Sequence, residues 1–271
     1  MLEIIKYQLL GRKKNVLLLL AIFGILNVIA YAAEIGGTIT DLSHMNSVLG
    51  FWIVNAIGAT FIAPVVIFFL CCTGHVSDLF NKDSSYLMLT VPRHGWEILG
   101  GRFVAGLIEF LACAIPAGFL LSIHAAILMP AEIISASNRF ELFGLIYNQL
   151  FVVNLVPVSQ ILLLGLCAFT IVGTLLTFAV VASRSFVKNK GIATAVSIAV
   201  FITVINLATQ WGSKFSSNFN WYWNIDSFSG LLNNGHIQTF PVPMASLLFF
   251  FVITAALFAA ASWLMEKKVE L

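Results

Sequence analysis

The side chain with the greatest potential for chemistry is Glu109, an acidic residue inside a long apolar run. It lies about 11 residues, or roughly 16 Å of helix, past the start of that run at Ile98, which predicts a position near the middle of a bilayer. A carboxylate at that depth is costly and normally faces a protein interior or a water-filled cavity, where it is paired or protonated. Glu109 can therefore contact a substrate in a translocation path or carry a proton. The alternative is a structural hydrogen bond to another polar residue of the apolar runs, such as Asn55 or Asn206.

The sequence motifs of common enzymes are missing from the chain. It contains no GxxxxGK[ST] phosphate-binding loop and no GxSxG nucleophile turn, so we expect it neither to hydrolyse ATP by itself nor to use a serine nucleophile. The five histidines have no HExxH or other metal-ligand spacing, and the four cysteines lie in apolar runs without a CxxC pair. We expect no metal and no cofactor in this chain, and we interpret the cysteines as small packing residues. These residues are His44, His75, His94, His124 and His236, and Cys71, Cys72, Cys113 and Cys167.

Long apolar segments must position these residues. Hydrophobic residues make up 60% of the 271 and charged residues 10%, with a mean hydropathy of +0.98, so the chain has too little polar surface for a water-soluble fold. A helix that crosses the hydrocarbon core needs about 20 apolar residues, because lipid offers its backbone no hydrogen bonds. Six segments meet this requirement without the alternation of membrane strands, which predicts an all-α integral membrane protein with six transmembrane helices. The predicted spans are Val16–Ala33, Val48–Cys72, Ile98–Leu121, Leu155–Ala182, Ile192–Trp211 and Met244–Met265.

The lysine and arginine residues predict the orientation of these spans. Twelve of them lie at one set of span ends and only Arg139 and Lys214 at the other, and basic residues stay on the cytoplasmic side. Both termini, and the loop between the second and third spans, are therefore predicted to be cytoplasmic. We expect the first span to be retained as an anchor, since it continues into Glu34 and not into a signal-peptidase site.

The segments between the spans carry further predictions within a single transmembrane domain over residues 1–271. Residues 1–15 place Leu2, Ile5 and Leu9 on one helical stripe, which predicts an interfacial helix. Residues 130–154 and 212–243 contain apolar runs that predict short extracellular helices before spans 4 and 6, with an ordinary loop as the alternative. The second of these segments contains the candidate extracellular gate Trp221, Tyr222 and Trp223.

One cytoplasmic connection, SYLMLTVPRHGWEILGGRF at residues 85–103, is unusually rich in polar residues for this chain. Residues 85–91 predict a short apolar helix, Pro92 ends it, and Gly95 to Glu97 lead into the third span. Because the short helix has no lipid to cross, burial against another protein would stabilise it. The alternative is a connector that lies against the inner leaflet. The charged residues around it include Asp78, Lys82, Asp83, Arg93 and Arg102.

The same connection resembles a motif of the permease subunits of type-2 ATP-binding-cassette (ABC) transporters. That motif reads YL-x-L-x-(V/L)-P-(S/R)-(R/H)-x-x-(E/K)-I-(L/V)-x-(G/S)-(K/R) and lies between the second and third of six spans. The rest of the chain shares the layout of those subunits, with a basic interfacial helix first and the basic tail EKKVEL last. A Gly-Thr pair that often precedes the motif is replaced here by Ser84-Ser85. The matching residues are Tyr86-Leu87, Leu89, Val91-Pro92, Arg93-His94, Glu97-Ile98-Leu99 and Gly101-Arg102.

The resemblance implies a bacterial half-permease in the cell membrane, which pairs with a second permease copy as a homodimer or heterodimer. It implies two separate ATPase subunits that bind ATP and Mg²⁺, with the lipid bilayer as a further partner and no nucleic acid. Residues 73–97 would be a cytoplasmic coupling segment on which the ATPases push. In this interpretation the ATPase-docking residues are Asp78, Leu79, Phe80, Lys82, Asp83, Tyr86, Leu87 and Leu89; the elbow to span 3 is Pro92, Arg93, Glu97 and Arg102; and candidate path residues are Glu109, Asn55 and Asn206.

The predicted outer loops favour one class of exported substrate. They contain five acidic residues against two basic ones, beside the aromatic candidate gate, which favours a cationic amphipathic peptide. The alternative explanation is the general shortage of lysine and arginine in outer loops. Two other functional classes stay open, a non-transporting polytopic immunity or sensor protein and an intramembrane enzyme. The acidic residues are Glu34, Asp41, Glu132, Glu141 and Asp226.

Overall fold

A computed structural model describes residues 2–36, 51, 54–56, 58–60, 62, 66–70, 76, 94–128, 139–148, 152–226 and 239–267. The chain is mostly helical, and the described residues between 51 and 76 are helical as well. The elements with complete bounds are helices α1 (Leu2–Gly36), α2 (Gly95–Leu128), α3 (Arg139–Asn148), α4 (Leu155–Phe186), α5 (Lys190–Asn218) and α6 (Met244–Lys267), and strands β1 (Tyr222–Asp226) and β2 (Thr239–Pro243).

Helices of membrane-spanning length dominate the described chain. Four of them, α2, α4, α5 and α6, are long and apolar enough to cross a membrane. Helix α1 consists of two segments, Leu2–Lys14 and Val16–Ala32, that meet at 44°, and counting this bent pair as one span makes five. The prediction of a helical, multi-pass membrane protein is confirmed at this level. Nearly half of the predicted second span, Val48–Cys72, lies outside the described residues, so the number six stays a prediction.

The surfaces of these helices suit an apolar surrounding. Large apolar side chains such as Leu18, Ile115 and Val252 are more than 60% exposed. Hydroxyl groups on the helices donate to their own backbone, as Thr170 does to the carbonyl of Leu166 at 2.9 Å. Because lipid offers no hydrogen bonds, this internal bonding allows threonine and serine to lie within spans.

The chain divides into two compact units. The first contains Met1–Gln8, Phe69–Leu107 and Val156–Leu271, and the second contains Leu9–Phe68 and Ile108–Leu155. Helices α1 and α2 therefore each contribute residues to both units. The single domain over residues 1–271 stays a prediction.

A buried apolar cluster in the first unit joins the beginnings of α1 and α2 to the ends of α4 and α6. Ile4 is the residue that α1 contributes, whereas Leu2 of the predicted interfacial stripe is 83% exposed. The two faces of this helical segment therefore have different surroundings. The buried members are Ile4, Val76, Ile98, Leu99, Val181, Ala261 and Met265.

A short turn connects α4 to α5. Only residues 187–189 separate the two helices. The Asn189 side-chain oxygen accepts hydrogen bonds from the backbone N–H groups of Gly191 and Ile192 at 3.0 and 3.3 Å. An asparagine in this position satisfies donors of the first helical turn that have no partner within the helix, which fixes where α5 begins.

A β-ribbon precedes α6, which corrects the short helix predicted there. Strands β1 and β2 pair antiparallel, with Tyr222 opposite Pro243 and Asp226 opposite Thr239. Aromatic and β-branched residues favour strands, and Pro241 and Pro243 would interrupt a helix. Residues 227–238 lie outside the described chain. The other predicted extracellular helix has a counterpart, since α3 lies directly before α4 in the sequence.

Candidate functional site

Helix α2 carries two of the described candidate residues, Arg102 and Glu109, on one buried face. Its buried positions recur every three or four residues, the repeat of a single helical face. Several are small, which lets neighbouring helices approach closely. Glu109 and His124 both lie on this face, 15 residues and therefore about 22 Å apart along the helix. The buried positions are Gly95, Ile98, Leu99, Gly101, Arg102, Ala105, Gly106, Glu109, Cys113, Ala117 and His124.

Glu109 lies beside a cation that sequence reasoning did not consider. Its Oε2 atom is 3.7 Å from Nε of Arg12 in α1, and the two side chains are 4% and 22% exposed. This distance is too long for a hydrogen bond, so the contact is an ion pair held by charge. Asn55, a predicted partner, is exposed and donates to the carbonyl of Phe51 in its own helix. Asn206, the other predicted partner, is exposed on α5.

A second buried polar contact lies around His124 and was missed by the sequence predictions. His124 Nε2 is 2.8 Å from Oδ1 of Asn27, and the Thr60 hydroxyl is 3.1 Å from the same oxygen. The three side chains are 2%, 1% and 0% exposed. The Tyr31 ring packs 4.4 Å from the imidazole, between centroids. We call Asn27, Tyr31, Thr60 and His124 the polar cluster.

The hydrogen-bond donors of the polar cluster follow from its geometry. Asn27 Nδ2 donates to the carbonyl of Phe23 at 2.8 Å, which assigns Oδ1 as the acceptor and requires a hydrogen on His124 Nε2. Thr60 has one hydroxyl hydrogen and two acceptors, the carbonyl of Ala56 at 2.7 Å and Asn27 Oδ1 at 3.1 Å. The cluster therefore ties α1, the helical residues 56 and 58–60, and α2 together by hydrogen bonds between buried groups.

Two signals in the sequence could have located the polar cluster. Asn27 lies inside the first predicted span, where an amide is expensive and faces protein in most cases. His124 follows Glu109 by 15 residues, which places both on one face of a helix. Neither signal identifies a partner, because Asn27 and His124 are 97 residues apart.

The described residues were compared with the requirements of a metal site and of a disulfide. Within those residues, no three His, Cys, Asp or Glu side chains come together in a group that could hold a metal ion. The described cysteines Cys113 and Cys167 are free thiols, and Cys113 is buried on the small-residue face of α2. Its position agrees with a packing role.

The permease-like motif of residues 86–102, here called the elbow motif, continues into the first two turns of α2. The carbonyl of His94 accepts from the backbone N–H groups of Glu97 and Ile98 at 3.0 and 3.4 Å, so the helix begins directly after His94. Of the predicted elbow residues, Glu97 is half-buried and Arg102 is 3% exposed. Pro92, Arg93 and all the predicted ATPase-docking residues from Asp78 to Leu89 lie outside the described residues.

The candidate gate belongs to the β-ribbon. Tyr222 and Trp223 are successive residues of β1, so their side chains point to opposite faces, and Tyr222 is the more exposed of the two. The carbonyl of Trp221 accepts from the N–H of Met244 at 3.0 Å, which fixes the ribbon to the start of α6. Trp221, Tyr222 and Trp223 therefore do not present one continuous aromatic surface.

No similarity to a known protein assigns this chain to a family, since comparisons with protein-family models, with curated proteins and with solved structures found no match. A functional inference therefore rests on the motif at the start of α2 and on the contacts of the spanning helices.

Proposed function

We propose that this chain is the permease subunit of an ATP-driven ABC exporter in a bacterial cell membrane. It forms the translocation path as a dimer and binds two separate ATPase subunits through residues 73–97. The observation that carries the proposal is the continuity of the elbow motif with a spanning helix. The carbonyl of His94 accepts from the N–H of Glu97 in the first turn of α2, a helix that is long and apolar enough to cross a membrane. A partner that pushes on the segment before His94 therefore acts directly on a spanning helix.

The apolar cluster of the first unit supports the proposal. It brings together the beginnings of α1 and α2 and the ends of α4 and α6. The lysine and arginine distribution predicts a cytoplasmic location for these same four ends. Their packing against one another is what a cytoplasmic partner needs in order to act on several helices at once.

The proposed substrate is a cationic amphipathic peptide. The acidic character of the predicted outer loops is the support for this class, and Glu141 of α3 is one exposed member of the set. Exposed charges attract such a peptide weakly and over a distance, so they act on its release more than on its tight binding.

Copurification from the native membrane tests the proposal. The tagged chain should retain ATPase subunits that mass spectrometry identifies by their phosphate-binding loops. Leu87→Glu, within the predicted docking helix, should lose them, because an unpaired charge at an interface costs several kcal/mol. Phe186→Glu is the matched control, since Phe186 is a 75% exposed apolar residue at the end of α4, predicted to face the same side.

The outcomes separate the parts of the proposal. Wild-type protein that never retains an ATPase would show that the chain is not such a permease. Retention by the Leu87→Glu variant at the wild-type level would leave the permease assignment in place and remove residues 73–97 as the docking segment. Loss with both substitutions would mean that the introduced charge, and not its position, causes the effect.

A further inference from the structure

The first turn of α2 is held by the last turn of α6. Glu266 Oε1 accepts a hydrogen bond from the backbone N–H of Gly95 at 2.6 Å, and His94 Nδ1 lies 3.8 Å from the same oxygen. An N–H in the first turn of a helix has no partner within that helix, and the helix N-terminus carries a partial positive charge. The Glu266 carboxylate satisfies both requirements from another helix.

The contact between α2 and α6 leaves no room for a side chain at position 95, so it requires glycine there. A Cβ atom on residue 95 would lie 2.6 Å from the backbone carbonyl oxygen of Ser262 and 3.1 Å from the Ser262 hydroxyl. A backbone oxygen cannot move aside as the tip of a side chain can, so α2 and α6 approach this closely only with glycine. Ser262 and Glu266 are four residues apart and lie on the same face of α6.

The contact continues into the apolar cluster of the first unit. Ile98 and Leu99, in the first turn of α2, are buried together with Ala261 and Met265, in the last turns of α6. The two helix ends are therefore joined by a charge-assisted hydrogen bond, a close backbone approach and apolar packing. Three kinds of contact at one place resist sliding of one end past the other.

We infer that Gly95 and Glu266 are positioning residues that make the first turn of α2 and the last helix, α6, move as one body. We call this pair the end clamp. The inference rests on the proposed function, because the ATPase is what moves the elbow. It adds that the movement reaches α6 through the end clamp as well as α2 through its own backbone. Without the end clamp, the ATPase still binds and moves α2, but α6 no longer follows.

Fluorescent labels on the two helices test the end clamp without knowledge of the substrate. Environment-sensitive dyes are attached to Phe119→Cys on α2 or Leu248→Cys on α6, in full-length chains whose native cysteines are replaced by alanine. Both positions are exposed, at 57% and 47%. The complexes are purified with their ATPase, and the emission shift on adding ATP and vanadate is measured for each label.

In the unsubstituted background both labels should respond to ATP. With Glu266→Ala the response of the α6 label should fall by about tenfold, while that of the α2 label stays within about twofold. Glu266→Gln keeps an acceptor oxygen and should restore part of the α6 response. Gly95→Ala should resemble Glu266→Ala. Gly118→Ala, in the same helix but with nothing within 4 Å of the added atom, should leave both responses unchanged.

Each result bears on one statement. Full responses of both labels in the Glu266→Ala complex would overturn the end clamp and leave the proposed function intact. If the Glu266→Ala complex lost both label responses and also failed to retain the ATPase, the end clamp would be overturned as well. Glu266 would then have a general structural role. Failure of the unsubstituted chain to retain an ATPase would overturn the proposed function and the inference with it. If Gly95→Ala does not fold, the Glu266 variants decide alone.

Discussion

The ion pair of Glu109 and the polar cluster around His124 meet the cost of burial in different ways. Both lie in the second unit and both join α1 to α2. Arg12 Nε and Glu109 Oε2 are 3.7 Å apart, and the Arg12 side chain is 22% exposed. The ion pair is therefore stabilised by the attraction between its charges and by contact of Arg12 with the surroundings of the protein. In the polar cluster Asn27, Thr60 and His124 are buried, and they depend on hydrogen bonds of 2.8 and 3.1 Å between polar side chains.

The ion pair is therefore the more costly contact to lose, and the polar cluster is the contact that is more sensitive to geometry. Attraction between charges falls off slowly with distance, so the Arg12–Glu109 pair tolerates a shift of one helix along the other. A hydrogen bond weakens steeply when its length or angle changes, so the polar cluster fixes the register of its helices. Losing one charge of a buried pair is the more expensive event, because it leaves the other charge in a poor environment.

Removal of the Arg12 side chain should produce the largest loss of stability. We expect Arg12→Leu to lower the free energy of unfolding by about 3 kcal/mol, the lower end of the usual range for a buried pair, since Arg12 is partly exposed. The change in the free energy of unfolding is measured by unfolding the purified protein in mixed micelles with increasing amounts of a denaturing detergent. Lys13→Leu, at the exposed neighbouring position, is the control and should have little effect.

The charge-reversed pair, Arg12→Glu with Glu109→Arg, shows whether charge is the reason. If the ion pair is what matters, the double variant should recover most of the stability that each single variant loses. Equal stability of the Arg12→Leu variant and the wild type would contradict the expectation that the ion pair contributes more stability than the polar cluster. A double variant that folds but has lost a transport activity of the wild type would show that Glu109 also contacts substrate or a proton.

Replacement of Asn27 should have an intermediate effect, and the chain contains a matched control. Asn27 and Asn55 both donate to the carbonyl four residues earlier, at 2.8 and 2.7 Å, but among contacts of the described residues only Asn27 also accepts from other helices. We expect Asn27→Leu to cost about 2 kcal/mol and Asn55→Leu less than about 0.5 kcal/mol, by the same unfolding measurement. Similar losses for both would mean that the contacts between helices contribute nothing.

The hydroxyl of Tyr31 should contribute least. It donates to the carbonyl of Leu120 at 2.9 Å, while the ring packs on the imidazole of His124. Tyr31→Phe keeps the ring and removes the donor, so we expect a loss of about 0.6 kcal/mol. Tyr31→Leu removes the ring packing as well and should cost more. The ranking is wrong if Tyr31→Phe destabilises the protein as much as Asn27→Leu.

The membrane helices could be predicted from the sequence because apolar run length is a local property. The run Ile98–Leu121 lies inside α2, and Met244–Met265 lies inside α6. The helices extend beyond the runs because polar residues continue a helix equally well. Helix α5 continues past Trp211 to Asn218, with Ser213 and Ser217 donating to carbonyls within it.

The partners of the buried polar groups could not be predicted, because they depend on which helices are neighbours. The structural alternative for Glu109 suggests Asn55 or Asn206 as its partner, whereas the structure has Arg12 beside it, 97 residues away in sequence. Nothing in the residues around Arg12 distinguishes it from Lys13 or Lys14. The ribbon before α6 was missed for another reason, since its apolar content was interpreted as helical although Pro241 and Pro243 argue against a helix there.

Those two prolines have a consequence for how copies of the protein can associate. They alternate along β2, so their nitrogens share one edge, and the pairing of β2 with β1 leaves that edge on the outer side of the ribbon. A strand from another molecule that approached this edge would find two backbone donors missing. The β2 edge of the ribbon is thus protected against pairing with a strand of another molecule, even though the aromatic composition of the ribbon would otherwise favour such pairing.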